Sequence, residues 1–468
     1  MASDQQLLTY FTTMENQGGI IVKDVPKLDL ELYISNYKGR TRFERLLLIG
    51  QSSVPLCVDA LKLAVAEAKQ GKDIQRYRDA WECIRVAAPA EPEASWDEAW
   101  VNTTDKSNKA ETHRLEAELK GYKNNLVKES IRIGHRDLGE HLESIGMLSA
   151  ASEAYIKMRP DASTQLHIQD VGKHVISILL QKQDWAGVLS NVNKVIPTSV
   201  DQGLVNQPYN KLVTGLAQLG SEKYYEAAKN FLEIGDPTVC QTLNSIASPN
   251  DVTTYGGLLA LASMDRLELQ TRVLDNSSFR TFLELEPHVR KAVSMFVNGR
   301  YSSCLGILES YRNDYLLDIY LQKHVQKIFS QIRSKCIVQY FKPFSCVTLK
   351  TMNAAFAKPG ESLEEELITM IKAGSLSARI NTIDKLLVAV TTNSRASMQM
   401  KALKTAENYE KEALDRIRRM GIVSADLEVK GRKVNGGGGG GGGGGGLPGM
   451  SQIWDNGMSQ PHSNETTA

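Results

Sequence analysis

No stretch of this 468-residue chain approaches the roughly 18 consecutive apolar residues that a membrane-crossing helix needs. The opening "MASDQQLLTYFTTMENQ" does not pair a basic segment with an apolar one. No secretory leader is therefore expected, and the chain is expected to work inside the cell and away from the bilayer. An excess of one charge is missing as well. Lys and Arg number 55 against 54 Asp and Glu, so no summed field draws the chain to polyanions or membranes. Cysteines are few: Cys57, Cys83, Cys240, Cys304, Cys336 and Cys346 include no CxxC pair and read as buried reduced thiols. The eight histidines contain neither HxH nor HExxH, so a zinc hydrolase lacks its ligand spacing. His135 and His141, six residues apart, share a helix face poorly and read as surface or packing residues. Spacing leaves open a Cys and a His brought together by the fold, but nothing supports such a pair. The one glycine run has no strand or helix to turn it into a phosphate cradle. These absences point away from catalysis: no enzyme, no cofactor and no bound metal are expected, and neither nucleic acid nor membrane as partner.

What is present is helix after helix, with 42% apolar residues to form a core. Residues 1–30 read as a polar, flexible arm. "RTRFERLLLIGQ" (40–51) sets Phe43, Leu46, Leu47 and Gly50 at helical spacing, and two more helices follow near 55–70 and 72–86. The second carries Ile74, Tyr77, Trp81 and Ile84 on one face. "AAPAEPEASWDEAW" (87–100) breaks the pattern with two prolines and a series of acids, and reads as a loop or locally ordered insertion reaching to about 105.

Beyond it the sequence repeats itself. Gly139, Ala151 and Tyr155 recur in spacing as Gly215, Ala227 and Phe231, 76 residues on, or two periods of about 38. Gly146, Ala151 and Tyr155 are matched by Gly299, Cys304 and Leu308. Small residues at such offsets let antiparallel helices approach while the large one fills the groove between them. A tetratricopeptide-like solenoid over 31–320 is the expectation; ordinary crossings in a non-repeating bundle are the alternative.

Residues 321–392 change character. Ile328, Ile332, Cys336, Ile337 and Tyr340 form one helix face that Pro343 ends. A short strand "SCVTL", a helix "LKTMNAAFA", a third helix over 363–373 opened by a Ser362/Glu365 capping box, and a hairpin of "ARINTI" and "LLVAV" follow. This is the order of a winged helix, and winged helices often bind DNA. Here the helix that would read bases carries Glu361, Glu364, Glu365 and Glu366, which would repel phosphates. A protein-docking role fits better: a wing edge offers bare backbone groups to a related module. Arg379, Asn381, Leu386 and Val388 on the hairpin are the candidate contact residues.

Residues 393–420 form one further helix, whose seam of Leu403, Ala406, Ala413, Ile417 and Met420 suits bundling with partner helices or folding back on its own chain. Glu410 interrupts that seam. The pairs Glu407–Lys411, Glu412–Arg416 and Asp415–Arg419 stand at i,i+4. A tail over 421–468, with eleven consecutive glycines from Gly436 to Gly446, cannot bury a core and is expected to be disordered.

"YISNYKGRTRFERLLLIG", "YKNNLVKESIRIGHRDLGEH", "QKQDWAGVLSNVNK", "LEPHVRKAVSMF" and "YFKPFSCVTLKTMNAAF" together resemble the PCI-domain family, in its COP-nine signalosome branch and more distantly in the proteasome regulatory lid. The likeness covers roughly residues 30–395. It implies a mainly α fold, a helical-repeat solenoid joined to a winged helix. It further implies a scaffold role in the complex that removes the ubiquitin-like protein Nedd-eight from cullins. The implied partners are other PCI-domain and catalytic-module subunits and, indirectly, neddylated cullins, in nucleus and cytoplasm. A lid subunit and a winged-helix nucleic-acid binder are the other readings.

Overall fold

The computed structural model describes residues 4–195, 200–235, 243–357, 362–390 and 394–427. Its helices fall into two units that divide after Val390. No helix among the described residues is long and apolar enough to cross a membrane.

The first unit begins with helix, not with the arm expected over 1–30. Leu7, Tyr10, Phe11 and Met14 recur at three-to-four spacing within a polar background, which gives α1 (Asp4–Asn16) one apolar face. Tyr10 and Phe11 are buried in one core with Phe43 and Ile49 of α3 (Arg40–Ser52), Leu61 of α4 (Cys57–Gln70) and Tyr77 of α5 (Ile74–Ala87). Between α1 and α3, Val22 pairs with the 52–54 backbone, donating to Ser52 O at 2.7 Å and accepting from Val54 N at 3.0 Å. Asp29 then caps α2 (Leu30–Ser35) by accepting from the amides of Glu31 and Leu32.

The acidic insertion is ordered as well. Pro92–Ala94 makes one 3-10 turn, and Asp97 caps the long helix α6 (Glu98–Asn124) by accepting from Trp100 N. Trp96 and Trp100 lie with ring centroids 5.1 and 5.0 Å from Tyr77, and Trp81 Nε1 donates to Ala94 O at 2.8 Å. The tryptophans supply the apolar stripe that the acids obscure. Lys62–Glu91 and Lys69–Asp97, at 2.7 and 2.9 Å, pair two of those acids.

Helix pairs follow: α7 (Lys128–Ser144) with α8 (Leu148–Lys157), α9 (Gln165–Gln181) with α10 (Trp185–Val195), α11 (Val200–Gly220) with α12 (Tyr224–Leu232), and later Pro287–Val297 with Tyr301–Ser310. Each pair turns on one left-handed residue: Gly146, Gln183, Glu222 and Gly299, with φ of 86°, 56°, 61° and 77°. In each, the following amide donates back five residues: Met147 to Leu142, Asp184 to Leu179, Lys223 to Gln218 and Arg300 to Met295, at 2.8–3.0 Å. The separations of 37, 39 and 77 residues reproduce the period of about 38. Gly139 and Gly215 sit where α7 meets Tyr155 and α11 meets Phe231. A Cβ on Gly215 would stand 2.9 Å from the Phe231 ring, and one on Gly139 would overlap Tyr155. Ala151, Ala227 and Cys304 are fully buried at the matching positions. The chain is therefore a repeat of helix hairpins over 128–232, and the same hairpin returns at 287–310.

A buried charge cluster ties sequence-distant parts of the first unit together. Arg45 has no exposed surface; it donates to Asp251 at 2.9 Å and Asp318 at 2.6 Å, and its guanidinium lies 4.1 Å from the Tyr37 ring. Tyr37 and Tyr255 hydroxyls donate to Asp251 and Asp318, each at 2.7 Å. Burial is dense enough to push the Asp251 carboxyl up to about 6, with Asp318 adding to burial and Arg45 opposing it.

His135 and His141 are both buried packing residues, and His141 Nε2 lies 3.0 Å from Thr112 Oγ1. Cys57, Cys83, Cys304 and Cys336 are buried free thiols, whereas Cys346, expected to be buried, is exposed. Cys240 and the glycine run lie outside the described residues.

Candidate protein-docking surfaces

The helix Val325–Phe341 buries Ile328, Ile332, Cys336, Ile337 and Phe341, with Tyr340 at the edge of the same core. It ends before Pro343, as a residue that cannot continue the hydrogen-bond ladder requires. β1 (Cys346–Thr348) leads into the helix Leu349–Phe356, which Thr348 caps by accepting from Thr351 N at 3.2 Å. The third helix, Glu364–Lys372, starts one residue later than the sequence suggests. Its N-cap is Leu363, and Ser362 Oγ accepts from Glu364 N at 3.3 Å, so the expected Ser362/Glu365 capping box does not form. Leu363 itself is buried, and that burial fixes the entry of the chain into the helix.

β2 (Ala378–Asn381) and β3 (Leu386–Ala389) complete a three-stranded antiparallel sheet of order β1-β3-β2. The hairpin therefore lies between two neighbours only on its β3 side. Among the described residues β2 has no neighbour on its other side, while β3 is central. Val347, Leu387 and Ile380 stand in register on the inner face, and Leu387 is fully buried. On the outer face Cys346, Val388 and Arg379 form one row, and Thr348, Leu386 and Asn381 the next.

This arrangement divides the four hairpin candidates. Arg379 stands exposed on the edge strand. Asn381 is also on that strand, but its side chain holds the turn, accepting from Ile383 N at 3.1 Å and donating to Asp384 at 2.8 Å. Leu386 and Val388 belong to the central strand, so they offer an outward apolar face and not a backbone edge. The acids of the third helix are partly used within the fold: Glu366 accepts from Arg333 Nε at 2.9 Å, and Arg333 also donates to Phe356 O. Glu361 lies outside the described residues.

The second unit holds one long helix, Ser394–Ser424, which ends four residues beyond the expected 420 because Gly421, Ile422, Val423 and Ser424 continue it. Leu403, Ala406, Ile417 and Met420 are exposed and Ala413 is half-buried. Ile417 and Met420 keep 63% and 72% of their surface in solvent, unusual for large apolar groups aligned on one face. Met398, Tyr409, Val423 and Leu427 are exposed too and were not part of the seam read from the sequence; Tyr409 and Val423 continue its three-to-four spacing, whereas Met398 does not and Leu427 lies beyond the helix. Glu412 pairs with Arg416 at 3.7 Å, while Asp415 pairs with Arg418 at i,i+3, not with Arg419. Among the described residues no group of three or more His, Cys, Asp or Glu side chains could hold a metal.

Comparison with known proteins follows the same division of the chain. The family described as 26S proteasome subunit RPN7 matches residues 97–272, the repeat region, and the PCI domain matches 308–390, which includes the sheet. COP9 signalosome complex subunit 1 of Neurospora crassa is 52% identical over 93% of this chain and 96% of its own length. The subunit of the same name is 47% identical in Emericella nidulans, over 92% of this chain and 89% of its own, and 36% identical in Arabidopsis thaliana, over 82% and 87%. With its helix hairpins, its winged-helix sheet and relatives of one name along almost its whole length, the chain belongs to the COP9 signalosome complex subunit 1 family.

Proposed function

We propose that this chain is a noncatalytic scaffold subunit of a signalosome that removes Nedd-eight from cullins. It docks sister PCI-domain subunits through the β2 edge and the outer face of the sheet, and enters a helix bundle through Ser394–Ser424. Catalytic-module subunits and neddylated cullins are then reached through the assembly. The observation that supports this reading most is the terminal helix, whose large apolar side chains stay in water unless other helices cover them. Family membership favours this assembly over the proteasome lid, and the acidic third helix disfavours duplex DNA. Residence in both nucleus and cytoplasm belongs to the same proposal and is checked by fractionating cells that express the tagged chain.

The experiment is co-expression of this chain with the other signalosome subunits of its host, followed by size-exclusion chromatography and a cullin–Nedd-eight cleavage assay. Assembly should require residues 394–424, and cleavage should appear only in the assembled complex. Cleavage by the isolated chain, or full assembly without the terminal helix, overturns the proposal.

A further inference from the structure

Beside the buried Arg45 cluster lies a cavity of about 300 Å3, within the size range of small-ligand pockets. Its walls combine two chemistries. Asp29, Asp251, Glu286, Asp314 and Asp318 supply five carboxylates, and Tyr33, Tyr311, Tyr315 and His288 supply rings. Among the described residues, Lys27 is the only Lys or Arg on the lining. Arg45, behind the wall, is already shared by Asp251 and Asp318. Glu286 has only His288 Nδ1 at 3.2 Å and Asn250 Nδ2 at 2.8 Å, and Asp314 accepts from the Lys27 amide at 2.8 Å. The cavity thus holds more anionic than cationic groups. Burial pushes the Asp314 carboxyl up, against the Lys27 and Leu28 amides and the His288 and Lys27 charges, which stabilise its ionised form.

The chain shows what such a wall accepts. Lys27 Nζ stands 3.9 Å over the centre of the Tyr311 ring, which is also stacked on His288 at 3.9 Å and 11°. That ammonium is exposed and otherwise donates only to Ser310 Oγ at 3.1 Å. Its backbone amide is anchored separately at Asp314, so the side chain can leave while the strap stays in place. Arginine suits the site better than lysine, because a guanidinium is more weakly hydrated, stacks flat on a phenol ring and bonds two carboxylates at once.

We propose that this cavity receives an arginine side chain from an extended segment of a partner polypeptide, and that Lys27 is the internal occupant it displaces. The test is fluorescence anisotropy of the full-length chain with a labelled Gly-Ser-Gly-Arg-Gly-Ser-Gly peptide and its citrulline counterpart, with thermal unfolding of every variant as a folding control. The arginine peptide should bind saturably and the citrulline peptide roughly tenfold more weakly, the loss of a charge-assisted hydrogen-bond set. Glu286→Gln should weaken the arginine peptide by about fivefold, and Lys27→Ala should strengthen it by about threefold by freeing the Tyr311 face. Equal binding of the two peptides overturns the proposal, as does absence of saturable binding to the Lys27→Ala variant. Indifference to both substitutions overturns it too, because binding is then elsewhere on the chain.

Discussion

At the scale of single residues, the Arg45 cluster and the hairpin glycines carry the most consequence. Replacing Arg45 by Met leaves Asp251 and Asp318 without their cation in a buried site. The expected loss is about 3–5 kcal/mol of unfolding free energy, measured by urea titration of the full chain. Asp251 also makes stability depend on pH. Its carboxyl holds a proton up to about 6 in the folded chain but only to about 4 when unfolded. Between those values the native state binds the extra proton, so this group's contribution falls as pH rises through the window and is fully lost above it. The urea midpoint of the wild type should therefore gain, between pH 7.5 and pH 5.5, relative to that of Asp251→Asn. Gly215→Ala drives a methyl against Phe231 and should cost about 1–3 kcal/mol. Gly139 and Gly215 were legible in the sequence because their partners recur sixteen residues on. Arg45 was not, since nothing local distinguishes a guanidinium that meets carboxylates more than 200 positions away.

At the scale of elements, the sheet order alters what substitutions in the hairpin do. Leu386 and Val388 point outward from a central strand, so aspartate at both leaves the module folded and removes an apolar docking face. Leu387→Asp, by contrast, buries a charge in the core and unfolds the module. Circular dichroism separates these outcomes, and co-purification with sister subunits reports the docking loss. Aspartates at Ile417 and Met420 should leave the isolated chain as stable as before and abolish its incorporation into the complex, read by size exclusion. The order helix, strand, helix, helix, hairpin was legible from turn residues and alternation. Which strand lies in the middle was not, because strand pairing joins residues that periodicity treats separately. The first helix was missed for a related reason: its four apolar residues gain meaning only from the groove of α3 and α5 that covers them.

At the scale of the whole molecule, the hairpin repeat was readable because it relies on local bonds, each turn closed five residues back. The two turns without glycine, at Gln183 and Glu222, show where sequence fails and geometry persists. Both side chains carry the strain of a left-handed backbone, so glycine at either position should leave the fold unchanged and stabilise it modestly in thermal unfolding. The exposed apolar rows of the terminal helix were legible as a seam, while the cavity draws its walls from four sequence-distant segments and left no pattern in the sequence.

One further consequence concerns the newborn polypeptide. Asp318 leaves the ribosome 273 residues after Arg45, which at 5–20 residues per second is roughly 15–55 s. Asp251 follows Arg45 by 206 residues, so through most of that interval a guanidinium destined for the interior has neither of its carboxylates and only water or a chaperone to shield its charge. Slowing translation within 250–320 should then raise the share of chains captured by chaperones, and the Arg45→Met variant, having no such debt of charge, should be indifferent to the delay.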